Sequence, residues 1–112
     1  MLITSIVIFA AAAVMGLIVI TALLKDKPTP KPAVFAHGAL AAVALVLVII
    51  FAINNPGHSP IPSIVLFVIA AIGGFVLFAR DMSKKPGPKV LAVIHALAAV
   101  VGFLILLAFA FA

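Results

Sequence analysis

Long apolar runs and short polar stretches alternate along the chain. Four runs of roughly twenty mostly apolar residues, at about 2–24, 33–53, 61–79 and 90–112, each suffice to cross about 30 Å of hydrocarbon as an α-helix. The stretches between them are rich in proline and other turn residues, which do not continue a helix. The pattern therefore predicts an all-α membrane protein, a bundle of four transmembrane helices forming one domain over residues 1–112.

Composition supports a membrane protein and argues against a soluble one. The chain is 68% hydrophobic and only 8% charged, whereas about a quarter of the residues in soluble domains are charged. Its net charge of +5 does not indicate nucleic acid as a partner, because all seven basic residues lie in two loops beside helix ends. Cysteine is absent, so disulfides and thiolate ligands are excluded. The lipid bilayer is the expected partner.

The basic residues also predict an orientation. Every Lys and Arg lies in the first loop, 25–32, or the third, 80–89, and none lies in the second loop or at either terminus. The positive-inside rule then places loops one and three in the cytoplasm and both termini outside it, as in a multi-pass protein of a bacterial inner membrane. Asp26 and Asp81 lie beside these cations and are expected to form local ion pairs in water. His58, in loop two, is expected to be solvated.

The two halves of the chain, about 1–55 and 60–112, resemble each other and predict an internal repeat. The matching positions are Lys25-Asp26 with Arg80-Asp81 at an offset of 55, and His37 with His95 at an offset of 58. The difference suggests three extra residues in loop three. Since each half is a helical hairpin, the two hairpins form a parallel repeat, which places helices two and four on a diagonal of the bundle.

One histidine interrupts each of these two apolar helices. His37 follows Lys31 by six residues and His95 follows Lys89 by six, so each imidazole lies about 9 Å along the helix from a basic residue. The two histidines are therefore expected at one depth, facing each other. An ionisable group inside a membrane segment indicates a functional site, although a hydrogen bond across the bundle is the simpler alternative.

Two histidines on diagonal helices suit the axial ligation of a b-type haem. Small residues follow them on the same helices, and basic residues lie near the helix ends for the haem propionates. The predicted cofactor site comprises His37 and His95 as metal ligands, with Gly38, Ala41, Ala44, Ala99, Gly102, Lys31, Arg80 and Lys89. Gly73-Gly74 offers a smooth wall at a similar depth on helix three, and Gly16 lies somewhat deeper on helix one. Helix packing alone would also account for the small residues.

The histidine-bearing helices two and four resemble those of bacterial membrane b-type cytochromes. The resemblance implies that His37 and His95 are axial ligands and that the protein is an electron-transfer or accessory subunit, without catalytic residues. Size and a four-helix plan are also similar to small multidrug-resistance transporters, but the glutamate on which that family depends is absent from the first helix. A small-solute transporter and a structural subunit, associated with other membrane subunits or as a homo-oligomer, stay open as alternatives.

Overall fold

The computed structural model describes the whole chain, residues 1–112, as four α-helices joined by short loops. The helices are α1, Leu2–Leu24; α2, Lys31–Asn54; α3, Ile61–Met82; and α4, Lys89–Phe111. Each is long and apolar enough to span a membrane, because 22 to 24 residues extend over about 33–36 Å. The prediction of an all-helical protein with four such helices is confirmed.

The helix ends differ from the predicted ones where polar residues extend an apolar run. Helix α2 begins two residues early and includes Pro32 in its first turn, where the missing N–H of proline has no helical partner to lose. Helix α3 continues three residues beyond Ala79, so Arg80 and Asp81 lie in its last turn. A cation is favourable there because the C-terminal end of a helix carries partial negative charge. Helix α4 begins one residue early, at Lys89.

The molecule consists of two helical hairpins lying side by side. Helix α1 packs mainly on α2, and α3 mainly on α4, while α1 with α4 and α2 with α3 make the smaller contacts between the hairpins. The pairs α1 with α3 and α2 with α4 have no close backbone contact, so they lie on the diagonals. Residues on α2 and α4 therefore meet only where their side chains reach across the centre.

Most of the large apolar side chains face outward. Only 14 of the 112 residues are buried, and side chains such as Leu17 and Phe75 are 66% and 74% exposed. An apolar exterior around so thin a core fits contact with the acyl chains of a lipid bilayer.

The helix ends in one hairpin recur in the other at a spacing of 58 residues. The last residues of α1 and α3, Leu24 and Met82, are 58 apart, and so are the first residues of α2 and α4. Both intervening loops, 25–30 and 83–88, have six residues. The expectation of three extra residues in the third loop was therefore wrong: it arose because the Arg-Asp pair lies inside α3 while the Lys-Asp pair follows α1.

Helices α1 and α3 end with the same backbone motif. The second residue after each helix, Asp26 or Lys84, has a φ of 56°. The next N–H, of Lys27 or Lys85, donates back to the carbonyl five residues earlier, as in a Schellman cap. Glycine usually occupies the left-handed position because other residues pay a steric cost there. A lysine at this position strains the second cap.

Replacing Lys84 with glycine is expected to stabilise the protein by about 1 kcal/mol, because glycine adopts a positive φ without the steric cost. The free energy of unfolding, measured by denaturant titration in detergent and followed by circular dichroism, tests this. Lys85→Gly is the matched control, since it removes the same charge from a residue without a positive φ and should stabilise nothing. Equal effects of the two substitutions would contradict the account.

The packed core lies in the half of the bundle that contains the second loop and both termini. Six buried residues form it: Ile6, Phe9, Ala44, Val48, Phe67 and Leu106. The rings of Phe9 and Phe67 stack across the α1–α3 diagonal with centroids 4.1 Å apart. The hydroxyl of Ser5 donates to the carbonyl of Ala44 at 3.3 Å. Towards loops one and three the bundle is less filled, and the candidate site lies there.

Candidate functional site: a histidine pair in an apolar cavity

A cavity of about 650 Å³ lies between the two hairpins. Thirty residues from all four helices line it and 24 of these are hydrophobic, so a ligand would be almost entirely in apolar surroundings. The aromatic rings of Phe9, Phe67 and Phe103 line it at the end next to the packed core. We call this space the histidine cavity. Its volume is within the range of about 300–1,000 Å³ typical of small-molecule and cofactor sites.

His37 enters the cavity from α2 and is held by α1. Its Nδ1 lies 2.7 Å from the carbonyl oxygen of Ala12. A carbonyl only accepts hydrogen bonds, so Nδ1 carries the proton and donates. The ring also lies against the backbone of Gly16, where a Cβ atom would be 2.8 Å from Cε1 of the imidazole. In the neutral ring Nε2 then keeps a free lone pair.

His95 is held in the same way by the second hairpin. Its Nδ1 lies 2.6 Å from the carbonyl oxygen of Ala70, and this bond, like the first, joins residues 25 apart in sequence. A Cβ atom on Gly74 would lie 3.0 Å from Cε1 of the imidazole. Each hairpin therefore supplies one histidine, one carbonyl that orients it and one glycine that makes room for it.

The two imidazoles meet across the α2–α4 diagonal. Their ring centroids are 6.0 Å apart and their planes are inclined at 81°. Both side chains are partly buried. No third ligand joins them, since the structure contains no group of three His, Cys, Asp or Glu residues placed to hold a metal ion. Asp81 also lines the cavity, but its carboxylate is bound by Lys31. The arrangement brings one nitrogen ligand from each hairpin to the same apolar cavity.

Three of the small residues predicted for the site line the cavity beside the histidines: Gly38, Ala41 and Ala99. Ala44 and Gly102 do not line it. Ala44 is fully buried in the packed core, and a Cβ atom on Gly102 would lie 3.2 Å from Cβ of Leu66. These two small residues serve helix packing.

The predicted basic residues are near the loop end of the bundle and already have partners. Lys31 and Lys89 each bind a carboxylate, and Nε of Arg80 donates to the carbonyl of Pro86 at 2.9 Å. None of the three lines the histidine cavity. His58, far from this region, is exposed and stacks on Phe109 with ring centroids 4.4 Å apart.

Two ion pairs join the hairpins at the loop end. Nζ of Lys31 lies 2.8 Å from Oδ2 of Asp81, and Thr29 Oγ1 donates to the same carboxylate at 2.8 and 2.9 Å. Nζ of Lys89 lies 3.0 Å from Oδ2 of Asp26. The expectation that both aspartates pair locally was therefore wrong, because each binds the lysine that begins the second helix of the opposite hairpin.

Asp81→Asn is expected to destabilise the bundle by about 1–2 kcal/mol, because this carboxylate accepts charge-assisted bonds from two residues of the other hairpin. Its side chain is 25% exposed, against 78% for Asp26. Asp26→Asn should cost at most a few tenths of a kcal/mol, as for exposed pairs generally. Denaturant titration of both variants in the same detergent provides the comparison. Equal losses would show that the Asp81 network adds nothing beyond a surface ion pair.

No protein-family model, curated protein or solved structure matches the chain. The function is therefore inferred from the geometry of the histidine cavity and from its surroundings.

Proposed function

We propose that the four helices cross a membrane as two parallel-repeat hairpins and hold one b-type haem between His37 and His95. The histidine pair carries this proposal: two imidazoles from diagonal helices, each fixed by a backbone carbonyl, face the same apolar cavity. The protein then acts as an electron-transfer or accessory subunit in the membrane.

The distance between the rings fits two axial ligands of one iron. Imidazole nitrogen binds metals at about 2.0–2.1 Å, and the centre of the ring lies roughly 1 Å further away. Two such ligands on one metal have their ring centroids roughly 6 Å apart, which matches the 6.0 Å between His37 and His95. A haem brings four nitrogen ligands of its own, so two protein ligands complete the iron.

The hydrogen bonds of the histidines also fit metal ligation. A metal-binding histidine almost always donates its other ring N–H to a carbonyl or carboxylate, which fixes the tautomer and the orientation of the ring. The carbonyls of Ala12 and Ala70 accept such bonds from Nδ1. Nε2 of each ring is then the nitrogen left to bind iron.

The walls of the cavity are apolar and leave room beside the ligands for a flat macrocycle. Gly38, Ala41 and Ala99 are small residues beside the ligands, and the phenylalanine rings close the cavity towards the packed core. A bound haem supplies one-electron oxidation and reduction at low-spin iron. The apolar side chains that line the cavity would surround such a haem.

Basic residues near the loop end remain available for the acidic groups of the cofactor. A lysine ammonium has three N–H donors; Lys89 uses one of them, and Lys31 uses two. The guanidinium of Arg80 uses one of its five donors. We therefore retain Lys31, Arg80 and Lys89 in the proposed site, as partners of the haem propionates.

The proposed orientation places loops one and three in the cytoplasm and both termini outside, in a bacterial inner membrane. The absence of cysteine allows this to be tested with single substitutions. Gly57→Cys in loop two and Ala112→Cys should react with a membrane-impermeant maleimide in intact cells, whereas Ser83→Cys should react only after lysis. Labelling of Ser83→Cys in intact cells would reverse the orientation, and no protein in the membrane fraction would exclude insertion.

Haem binding is tested directly by expressing the protein with an adequate haem supply. The purified protein should be coloured, contain one haem for each chain and show the low-spin absorption spectrum of bis-imidazole iron in both oxidation states. A colourless preparation that binds no added haemin would reject the haem proposal.

A further inference from the structure

A second cavity, of about 660 Å³, lies between the loops of the two hairpins. The residues around it come from loop one, loop three and the adjoining helix ends. Unlike the histidine cavity it has many charged residues in its walls, since six of its 13 lining residues are Asp or Lys and only Leu23, Phe35 and Met82 are hydrophobic. We call it the loop cavity.

The loop cavity carries positive charge that the protein does not neutralise. Both aspartates that line it are already bound, Asp81 to Lys31 and Asp26 to Lys89. Lys27, Lys84 and Lys85 also line it, and none of them forms an ion pair or a side-chain hydrogen bond. These three lysines therefore leave positive charge at the cavity that no carboxylate of the chain pairs with.

These lysines are attached to a stiff backbone. The two loops share the pattern Lys-Pro-x-Pro-Lys at 27–31 and 85–89, and each proline fixes its own φ angle. The N–H groups of Lys27 and Lys85 are tied back to α1 and α3 by the helix caps. Loop three also lies against the end of α1, because a Cβ atom on Gly87 would lie 3.1 Å from Cδ1 of Leu23. The backbone of these loops therefore has little conformational freedom for an arriving anion to restrict.

The apolar part of the loop cavity favours an amphiphilic anion over a soluble one. Leu23 and Phe35 line both cavities, so the charged region adjoins apolar surface without interruption. Phe35 is 55% exposed and lies near the start of a helix long enough to span the bilayer. An acyl chain beside Phe35 would place its headgroup at the level of the loops.

We propose that the loop cavity binds the phosphate of an anionic phospholipid through Lys27, Lys84 and Lys85. A phosphate diester carries the negative charge and the acceptor oxygens that these ammonium groups lack, and basic pockets at helix ends suit such headgroups. The proposal depends on the membrane insertion proposed above but not on haem.

Native mass spectrometry of the delipidated full-length protein, with phosphatidylglycerol and phosphatidylcholine at equal concentration, tests this. Phosphatidylglycerol should bind at least tenfold more tightly. Lys27→Gln and Lys85→Gln should each weaken its binding about fivefold, as expected for one lysine near an anionic headgroup. Lys25→Gln is the matched control: it removes the same charge from the same loop region, but Lys25 does not line the cavity, so binding should change less than twofold.

Equal weakening by Lys25→Gln and Lys85→Gln would overturn the proposal, because it would indicate diffuse attraction to a basic surface. Equal binding of the two lipids would also overturn it. Displacement of phosphatidylglycerol by millimolar inorganic phosphate would assign the cavity to a soluble phosphate instead. Absorbance of the same samples separates the two proposals: colourless protein that still prefers phosphatidylglycerol would reject the haem and retain the lipid site.

Discussion

Replacing His37 or His95 with alanine is expected to abolish the low-spin spectrum of the haem-loaded protein. Each substitution removes one of two axial ligands, so the iron either becomes high-spin or is lost. Haem affinity should fall at least about 100-fold, which exceeds the loss typically seen when only the hydrogen-bond partner of a metal ligand is removed. Absorption spectra of the purified variants after incubation with haemin provide the measurement. The helices themselves should persist, because lipid exclusion and packing hold them.

His58→Ala is the control for this experiment. His58 is the remaining histidine of the chain and stacks on Phe109 at the opposite end of the bundle, so its loss should leave the spectrum unchanged. Wild-type spectra from both His37→Ala and His95→Ala would contradict axial ligation by this pair. A change with only one of them would show that the two hairpins do not contribute equivalent ligands.

Gly16→Ala is expected to weaken haem binding about 10- to 100-fold although Gly16 is no ligand. The added methyl group would lie 2.8 Å from Cε1 and 2.9 Å from Nδ1 of His37, so the ring must move. We expect that movement to weaken or break the bond from Nδ1 to the carbonyl of Ala12, and loss of such an orienting bond typically costs metal affinity by this factor. Haemin titration followed by absorbance measures the loss.

Gly73→Ala provides the matched comparison, because it adds the same methyl group beside the other histidine, on α3. The added Cβ would meet nothing closer than Cβ of His95 at 3.6 Å, an ordinary van der Waals contact, and Gly73 does not line the histidine cavity. Alanine is also the better helix former. Haem affinity should therefore stay within about twofold of wild type. Equal losses in Gly16→Ala and Gly73→Ala would show that displacement of the His37 ring is not the cause.

The sequence predicted the helices well because their apolar runs are long. The bounds of α1 were predicted as the structure has them, whereas α2, α3 and α4 extend beyond the predicted starts or ends at Lys31, Met82 and Lys89. A hydropathy pattern does not distinguish polar residues and prolines at a helix end from those of a loop. A first turn accommodates proline and a last turn accommodates arginine, so these residues are helical here.

The sequence placed the histidines at one depth but left their surroundings open. Nothing in the pattern singles out the carbonyls of Ala12 and Ala70, because every residue has a carbonyl and only the packing of two helices selects one. Ala44 and Gly102 are small residues, like Ala41 and Ala99, so residue type does not separate the two pairs. In the structure the first two pack in the core and the last two line the cavity.

The partners of the aspartates were also beyond the sequence pattern. Asp26 has lysines on both sides in the chain, yet it binds Lys89, which is 63 residues away. Neighbours in sequence point in different directions once α1 ends, and the nearest cation in space comes from the other hairpin. Such ion pairs depend on how the two hairpins pack against each other, and a local sequence pattern does not predict that packing.

The division of the site between the two hairpins couples ligand binding to assembly. Each hairpin holds one imidazole through its own carbonyl, and direct contact between the hairpins is sparse. A molecule bound by both imidazoles adds its binding free energy to the association of the hairpins, by linkage. The seam between them would otherwise be the weakest part of the bundle. Occupancy of the cavity thus becomes a determinant of how firmly the two halves of this small protein stay together.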